Sequence, residues 1–178
     1  MSPFTKQGER EIWSGTVISV AEGTFLSPSG TEFHRDLVHH PGAVSVVPVD
    51  GDEVVLVRQY RAAVDLEVLE IPAGKRDVAG EAPERTAHRE LAEEVGLTAG
   101  RLVKLAEFYN SIGFSDELSH VFLGTDLTPV ADDRQGEEEQ HMIIERIRLD
   151  DVPALIAAGE LVDAKTVIGL LLAREYLG

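Results

Sequence analysis

The sequence predicts an α/β fold in which a mixed β-sheet is sandwiched between helices and follows an N-terminal antiparallel β extension. Strand-type runs fill residues 11–72, and helical patterns occur once in the middle of the chain and twice near its end. The run 43–49 is almost entirely apolar, as expected for a strand that is buried on both faces. This order of elements favours helices packed on both sides of one sheet.

The N-terminal region is predicted to form the antiparallel extension. β-type residues at 12–20 and 31–38 flank a Ser-Pro-Ser-Gly turn, and Pro41-Gly42 then breaks the pattern. We therefore expect an N-terminal β region over residues 1–42 and the main domain over residues 43–178.

The main domain is predicted to supply most of the sheet. Its strand-type runs lie at 43–49, 53–61, 66–72, 101–110, 118–124 and 142–149. An Asp-Gly-Asp turn at 50–52 joins the first two runs as a hairpin. Helical patterns cover 151–158 and 163–177, where Asp163 is a suitable N-cap, and residues 131–140 are expected to form an acidic loop.

The composition excludes several classes of function. A length of 178 residues suits one domain with a substantial core. The net charge of −16 opposes nucleic-acid binding, because the field of the protein would repel a polyanion. No apolar run approaches the ~20 residues of a membrane span, residues 1–10 lack the apolar core of a signal peptide, and cysteine is absent. We therefore expect a cytoplasmic protein with neither nucleic-acid nor membrane partners.

The run 81–97 concentrates the residues that carry chemistry. Glu90, Glu93 and Glu94 follow Arg89 in a segment patterned as one short helix, at spacings that place the three carboxylates on adjoining faces. Like charges so spaced repel by roughly a few tenths of a kcal/mol per pair, and a divalent cation among them relieves that repulsion. Oxygen ligands favour Mg²⁺ or Mn²⁺ over zinc. A solvated acidic helix face is the alternative interpretation.

The same helix is predicted to have a buried side and a defined end. Ala87, Leu91 and Val95 recur at i, i+4 and i+8, which gives an apolar stripe. Gly96 follows at the position where a left-handed C-cap ends a helix.

This run resembles the Nudix box, a loop–helix–loop signature written G-x5-E-x7-R-E-U-x-E-E-x-G-U, in which U is aliphatic. From Glu81 onward the chain matches every specified position, including Arg89-Glu90, Glu93-Glu94 and Gly96. Gly74 stands seven residues before Glu81 rather than six, and an insertion of one residue in a loop is well tolerated. The resemblance implies a Nudix fold and a Nudix pyrophosphohydrolase.

Motifs outside the box resemble the ADP-ribose pyrophosphatase branch of that family. They lie at residues 57–61, 70–74, 111–117 and 163–166. The resemblance implies hydrolysis of the diphosphate bond of ADP-ribose, or of a related nucleoside diphosphate sugar, to AMP and ribose 5-phosphate, with Mg²⁺ (or Mn²⁺) as cofactor. It also implies a homodimer in which the N-terminal strands pack on the partner subunit.

Two alternatives to this function stay open. ADP-ribose-specific members usually carry a proline where this chain has Ile112, which leaves GDP-mannose or another nucleotide sugar as the substrate. The alternative from another class is a non-hydrolysing ADP-ribose sensor. Such domains typically lose a box glutamate, whereas this chain retains Glu90, Glu93 and Glu94.

The resemblance implies the metal ligands. Glu90 and Glu94 are expected to bind the metal ions directly, and the backbone carbonyl of Ala73 is expected to be a further ligand. Glu93 is expected to contribute to metal binding and to catalysis. The negative charge of the diphosphate must be offset before a nucleophile can approach it, and metal ions bound at such a site supply the positive charge.

The resemblance assigns Glu81 and Arg89 to the positioning of these glutamates by hydrogen bonds, so that loss of either weakens metal binding. The two residues are eight positions apart, and a direct contact between them requires Glu81 to fold back from the loop.

The general base is expected in the acidic loop, where residues 137–139 are all glutamate. Glu138 aligns best with the branch and Glu139 is the second choice. A base on a loop can reach the water when substrate is bound, and an ordinary acidic surface loop is the alternative.

Four residues are candidates for substrate binding. Arg58 and Arg61 can hold a diphosphate or form surface ion pairs. Glu70 can accept a ribose hydroxyl or pair with an arginine. Trp13 can stack on a nucleobase from the partner chain or pack in a core.

Overall fold

The computed structural model describes residues 3–131, 134 and 137–178, without the side chains of residues 137 and 138. The chain divides into two compact units. One unit combines Met1–Gly42 with Tyr109–Leu118, and the other combines Ala43–Phe108 with Ser119–Gly178. The second unit carries the central helix and the carboxylates predicted to bind metal.

The first unit is an antiparallel three-stranded sheet in the order β1-β2-β3. Its strands are β1 (Thr5–Ser14), β2 (Ser19–Leu26) and β3 (Glu32–His39). The Ser-Pro-Ser-Gly turn joins β2 to β3 as predicted, and Gly30 adopts a φ of 81° that favours glycine. The strand β1 begins at Thr5, well before the β-type run seen in the sequence, because it pairs with β2 along its whole length.

The segment 109–118 completes the first unit by docking on the end of β3. Val38 donates its N–H to the carbonyl of Phe114 at 2.7 Å, and Asp116 returns an N–H to the carbonyl of Val38 at 3.1 Å. The side chains add to this pairing, because Oδ2 of Asp116 lies 2.6 Å from Nδ1 of His39. Backbone and ionic contacts therefore fix this segment on a strand that is distant in sequence.

The second unit contains a seven-stranded mixed sheet, as predicted. Its strands are β4 (Ala43–Asp50), β5 (Glu53–Arg61), β6 (Leu66–Glu70), β7 (Ala73–Lys75), β8 (Leu97–Tyr109), β9 (Leu118–Pro129) and β10 (Ile143–Arg148). The main order is β10-β5-β4-β9-β8, with β6 paired to β5 and β7 paired to β4. The pair β4–β9 is parallel, whereas β4–β5, β4–β7, β5–β6 and β5–β10 are antiparallel.

Helices cover both faces of this sheet. They are α1 (Pro83–Val95), α2 (Glu137–Gln140), α3 (Val152–Ala157) and α4 (Ala164–Leu177). Alternation along β5 directs Val55 and Val57 into the core that contains α1, and Val54 and Leu56 into the core that contains α4. The predicted sandwich is therefore confirmed, and its central strands are apolar on both faces.

The helix ends follow local signals in the sequence. Pro83 lies in the first turn of α1, where a missing N–H is harmless, and Gly96 ends this helix with a φ of 64°. Asp163 caps α4 by accepting the N–H of Thr166 at 2.9 Å. The acidic segment is not entirely a loop, because α2 occupies its end. Within the described residues, no helix is both long and apolar enough to cross a membrane.

Candidate active site

Two glutamates of α1 meet the short strand β7. Ala87, Leu91 and Val95 bury one side of the helix as predicted, and this places Glu94 at the buried edge with only 3% of its surface exposed. Its Oε2 accepts the N–H of Ala73 at 3.0 Å. One turn earlier, the carboxylate of Glu90 lies directly over Gly74, where a Cβ atom would come within 1.8 Å of the carboxyl carbon.

The surroundings of these carboxylates disfavour their charged forms. Burial raises the pKa of Glu94 to about 8, although the N–H of Ala73 acts in the opposite direction. Burial also raises the pKa of Glu90 to about 7, against the lowering effect of Arg89. A cation bound between them would remove this penalty, so these two carboxylates are able to hold one.

Arg89 contacts acidic residues of both the loop and α1. Its Nη1 lies 2.7 Å from Oε1 of Glu90 and 3.0 Å from Oε2 of Glu93. Its Nη2 lies 3.4 Å from Oε2 of Glu81, which also accepts the hydroxyl of Thr86 at 2.9 Å. Glu81 therefore folds back from the loop to reach Arg89, and the guanidinium connects three box glutamates.

The partly exposed Arg61 forms an ion pair with the buried Glu70 on the same face of β5 and β6. Glu70 is 2% exposed, and its two oxygens accept Nε and Nη2 of Arg61 at 2.6 and 2.7 Å. Lys165 donates to the same carboxylate. Two cationic side chains, Arg61 and Lys165, thus hold the carboxylate of Glu70. The ion pair uses Nε and Nη2 of Arg61, so Nη1 can donate to another acceptor.

Arg58 lies in the second unit and Trp13 in the first. Arg58 lies three residues from Arg61 on β5, so alternation directs it to the opposite face, where it forms a two-bond pair with Glu145 of β10. Of the two roles expected for Arg58, the ion pair is therefore the one observed, and diphosphate binding by Arg58 stays a prediction. Trp13 belongs to the first unit and is 54% exposed, so it does not pack in a core.

The acidic segment contacts the last turn of α1. Arg134 donates to the backbone carbonyl of Glu94 at 3.2 Å and to that of Met142 at 3.0 Å. The half-buried Glu139 lies close enough for its charge to be among the smaller causes, after burial, that raise the pKa of Glu94. The side chain of Glu138 lies outside the described part of the structure, so its prediction stays untested.

The NUDIX domain family matches residues 39–167, which include the whole of this site. The chain belongs to the Nudix family. An ADP-ribose pyrophosphatase of Bacillus subtilis is 39% identical over 91% of this chain and 88% of its own length. An ADP-ribose pyrophosphatase of Mycobacterium tuberculosis is 35% identical over 94% of this chain and 82% of its own length.

The fold agrees with this assignment. A crystal structure of an ADP compounds hydrolase superposes with a TM-score of 0.86, covering 99% of this chain and 95% of that one at 23% identity. The predictions of a Nudix fold and of a Nudix pyrophosphohydrolase related to the ADP-ribose pyrophosphatases are therefore confirmed.

Nudix hydrolases generally use a divalent metal ion, and the donor chemistry of this Nudix box fits one. Glu90 and Glu94 are desolvated oxygen donors, and Gly74 leaves the room that the carboxylate of Glu90 occupies. Among the described residues, no group of three acidic or histidine side chains is arranged to hold a metal ion. In this arrangement Oε1 of Glu90 lies 2.7 Å from Nη1 of Arg89, and Oε2 of Glu94 accepts the N–H of Ala73.

Several residues near the site were given no role from the sequence. Lys165 and Thr166 lie in a motif that was recognised, but the contact of Lys165 with Glu70 spans 95 residues and has no local signal. Gln59 lies on the same face of β5 as Arg61 and is buried, and within the described residues its Nε2 has no hydrogen-bond partner. The sequence contains a signal for this location, because a residue two positions before Arg61 on a strand lies on the same face as Arg61.

Proposed function

We propose that this Nudix hydrolase cleaves the diphosphate bond of ADP-ribose to AMP and ribose 5-phosphate, with Mg²⁺ as its cofactor. The observation that carries the proposal is the pair formed by the buried Glu94 and the partly buried Glu90, which lie against Ala73 and Gly74. The two relatives named ADP-ribose pyrophosphatase supply the substrate, since each covers most of the chain.

The metal ligands in this proposal are Glu90, Glu94 and the backbone carbonyl of Ala73, with Glu93 as a further contributor. Bound divalent ions supply positive charge that offsets the diphosphate and polarises the attacking water. Arg89 keeps the glutamates apart and oriented, because its two terminal nitrogens contact Glu90 and Glu93 on one side and Glu81 on the other.

The reaction is a displacement at phosphorus. The oxygen of water forms a bond to one phosphorus, and the bond from that phosphorus to the bridging oxygen breaks, so that two monophosphates leave. A glutamate of α2, Glu138 or Glu139, takes the proton of the attacking water. Arg61 binds a diphosphate oxygen through Nη1, because Glu70 fixes its other nitrogens and holds the guanidinium in place.

The N-terminal β region is proposed to form a homodimer interface. Every residue of β1 is exposed, and the strand presents the large apolar side chains Phe4, Ile12 and Trp13 near or along its length. An exposed edge strand with apolar side chains is a surface that a partner covers. The resemblance to the ADP-ribose pyrophosphatase branch favours a second copy of this chain as the partner that covers β1. Trp13 would then be available to stack on a nucleobase.

A nucleotide sugar such as GDP-mannose is the second candidate substrate. Ile112 stands where ADP-ribose-specific members usually carry proline, and its side chain is 79% exposed on the segment 109–118. A non-hydrolysing ADP-ribose sensor is the remaining alternative, and retention of all box glutamates argues against it.

The proposal is tested with the purified enzyme and a panel of diphosphates in the presence of Mg²⁺. ADP-ribose, ADP-glucose, GDP-mannose, NADH and diadenosine polyphosphates are compared by kcat/KM. A preference for ADP-ribose that is lost in Glu94→Gln supports the proposal, and Glu84→Gln is the matched control, because Glu84 is an exposed glutamate of the same helix. A preference for another diphosphate changes the substrate, and no turnover of any diphosphate supports the sensor.

A further inference from the structure

The link between β6 and β7 depends on α4 for its hydrogen bonding. Pairing of β6 with β5 ends at Glu70, and pairing of β7 with β4 begins at Ala73, so the N–H of Ile71 lies between two ladders. Ile71 is fully buried, and a buried N–H without an acceptor is costly. The hydroxyl of Thr166 accepts it at 3.0 Å.

Asp163 fixes the direction of that hydroxyl. The Thr166 hydroxyl donates to Oδ2 of Asp163 at 2.6 Å, so its lone pair faces the N–H of Ile71. The same oxygen accepts the N–H of Thr166 at 2.9 Å and so caps α4. The cap of the helix and the support of the strand are therefore one hydrogen-bond network.

A second contact holds the residue before this link. Lys165 donates to the buried carboxylate of Glu70 and, at 3.0 Å, to Oδ2 of Asp163. Packing reinforces both contacts, because a Cβ at Gly169 would lie 3.1 Å from Cδ1 of Ile71. The first turns of α4 therefore contact two consecutive residues, Glu70 at the end of β6 and Ile71 in the link to β7.

The supported strand leads directly to the candidate metal site. Pro72 has a restricted φ, and its carbonyl accepts the N–H of Val46 at 3.0 Å. The next residue, Ala73, donates its N–H to Oε2 of Glu94 at 3.0 Å. The position of the Ala73 backbone relative to Glu94 is thus determined by a short, rigid segment whose other end is held by α4.

We propose that Asp163, Lys165 and Thr166 are positioning residues that set the affinity of the site for divalent cations by fixing the Ala73 backbone against Glu94. This role rests on the proposed function, in which Ala73 and Glu94 bind the metal. Residues that orient metal ligands through hydrogen bonds change affinity by about 10- to 100-fold when they are lost.

The test compares Thr166→Val with Thr166→Ser. Valine has the shape of threonine but leaves the N–H of Ile71 without an acceptor, whereas serine keeps the hydroxyl. Mn²⁺ binding is measured by electron paramagnetic resonance on the full-length protein, together with urea unfolding. We expect the affinity for Mn²⁺ to fall about 10-fold or more in Thr166→Val and to stay within about 3-fold of wild type in Thr166→Ser.

Two controls separate positioning from stability and from the metal site itself. Leu170→Val removes a buried methylene from the same helix without touching the network, so it lowers stability and leaves Mn²⁺ affinity unchanged. Equal losses of affinity in Leu170→Val and Thr166→Val, or an unchanged affinity in Thr166→Val, overturn the positioning role alone. Unchanged affinity in Glu94→Gln overturns the metal site and the positioning role with it. If Thr166→Val does not fold, Lys165→Gln is measured instead, because it removes the contact of Lys165 with Glu70. An Mn²⁺ affinity that is unchanged in Lys165→Gln, or that falls only as much as in Leu170→Val, would overturn the positioning role.

Discussion

Replacing Gly74 with alanine would test how strongly activity depends on the position of the Glu90 carboxylate. A Cβ at Gly74 would lie 1.8 Å from the carboxyl carbon and 2.1 Å from each carboxylate oxygen of Glu90. Ordinary contact begins at 3.4 Å, so the carboxyl group would have to retreat by about 1.6 Å. Gly74 is not among the glycines with positive φ, so the backbone itself accepts alanine.

The expected result is a large loss of rate with a small loss of stability. The carboxylate of Glu90 ends a flexible side chain and can rotate away without moving α1, so the free energy of unfolding should change by less than about 1 kcal/mol. A displacement of ~1 Å of a catalytic group can lower the rate about 100-fold. We therefore expect kcat for ADP-ribose hydrolysis to fall by at least about 100-fold at saturating Mg²⁺.

The assay measures kcat as a function of Mg²⁺ concentration beside urea unfolding of the same preparations. Lys75→Ala is the control, because Lys75 is the exposed next residue of β7 and its substitution should leave both quantities near those of wild type. If Gly74→Ala retains the kcat of wild type, the position of Glu90 over Gly74 has no catalytic importance and the reasoning is refuted.

Three further predictions concern charge, packing and orientation. Burial raises the pKa of Glu94 to about 8 and the pKa of Glu90 to about 7. The protonated forms of both residues therefore contribute stability that is fully present below pH 4.5, and this contribution is lost as the pH rises through 7 and 8. Mg²⁺ binding at pH 7 should therefore release protons, and its calorimetric heat should vary with the ionisation enthalpy of the buffer; identical heats in all buffers would contradict this. Leu91→Ala removes a fully buried side chain between α1 and the sheet, and urea unfolding should show a loss of about 2–5 kcal/mol, whereas a loss below about 1 kcal/mol would show that the core closes around the cavity. Arg89→Lys replaces a forked contact to Glu81 and its neighbours by a single ammonium, and Mn²⁺ affinity should fall about 10-fold or more, with an unchanged affinity as the contrary result.

Local patterns were sufficient to predict the layers of the main domain. The nearly continuous apolar run of β4 indicated a strand that is buried on both faces, and both faces are in fact covered by helices. The end of α1 followed from Gly96, whose preference for a left-handed backbone acts within one turn. The carboxylates of that helix could be placed on adjoining faces by spacing alone, before any tertiary contact was known.

Tertiary contacts between distant residues could not be predicted in the same way. Glu70 and Lys165 are separated by 95 residues, and their contact depends on how α4 lies across the sheet. Glu81 contacts Arg89 because the loop folds back. Their separation of eight positions allowed this contact but did not predict it. The face of Arg58 is different, since the two-residue period of β5 alone is enough to separate it from Arg61.

The contact of His39 with Asp116 joins residues that are 77 positions apart, within a unit assembled from two separate stretches of the chain. The intervening residues belong to the other unit, so the sequences of the two units are interleaved. During synthesis the N-terminal sheet would leave the ribosome long before the segment that docks on it, and closing this long loop is the slow step expected from its contact order. The same interleaving means that no single cut of the chain would yield the two units as separate proteins.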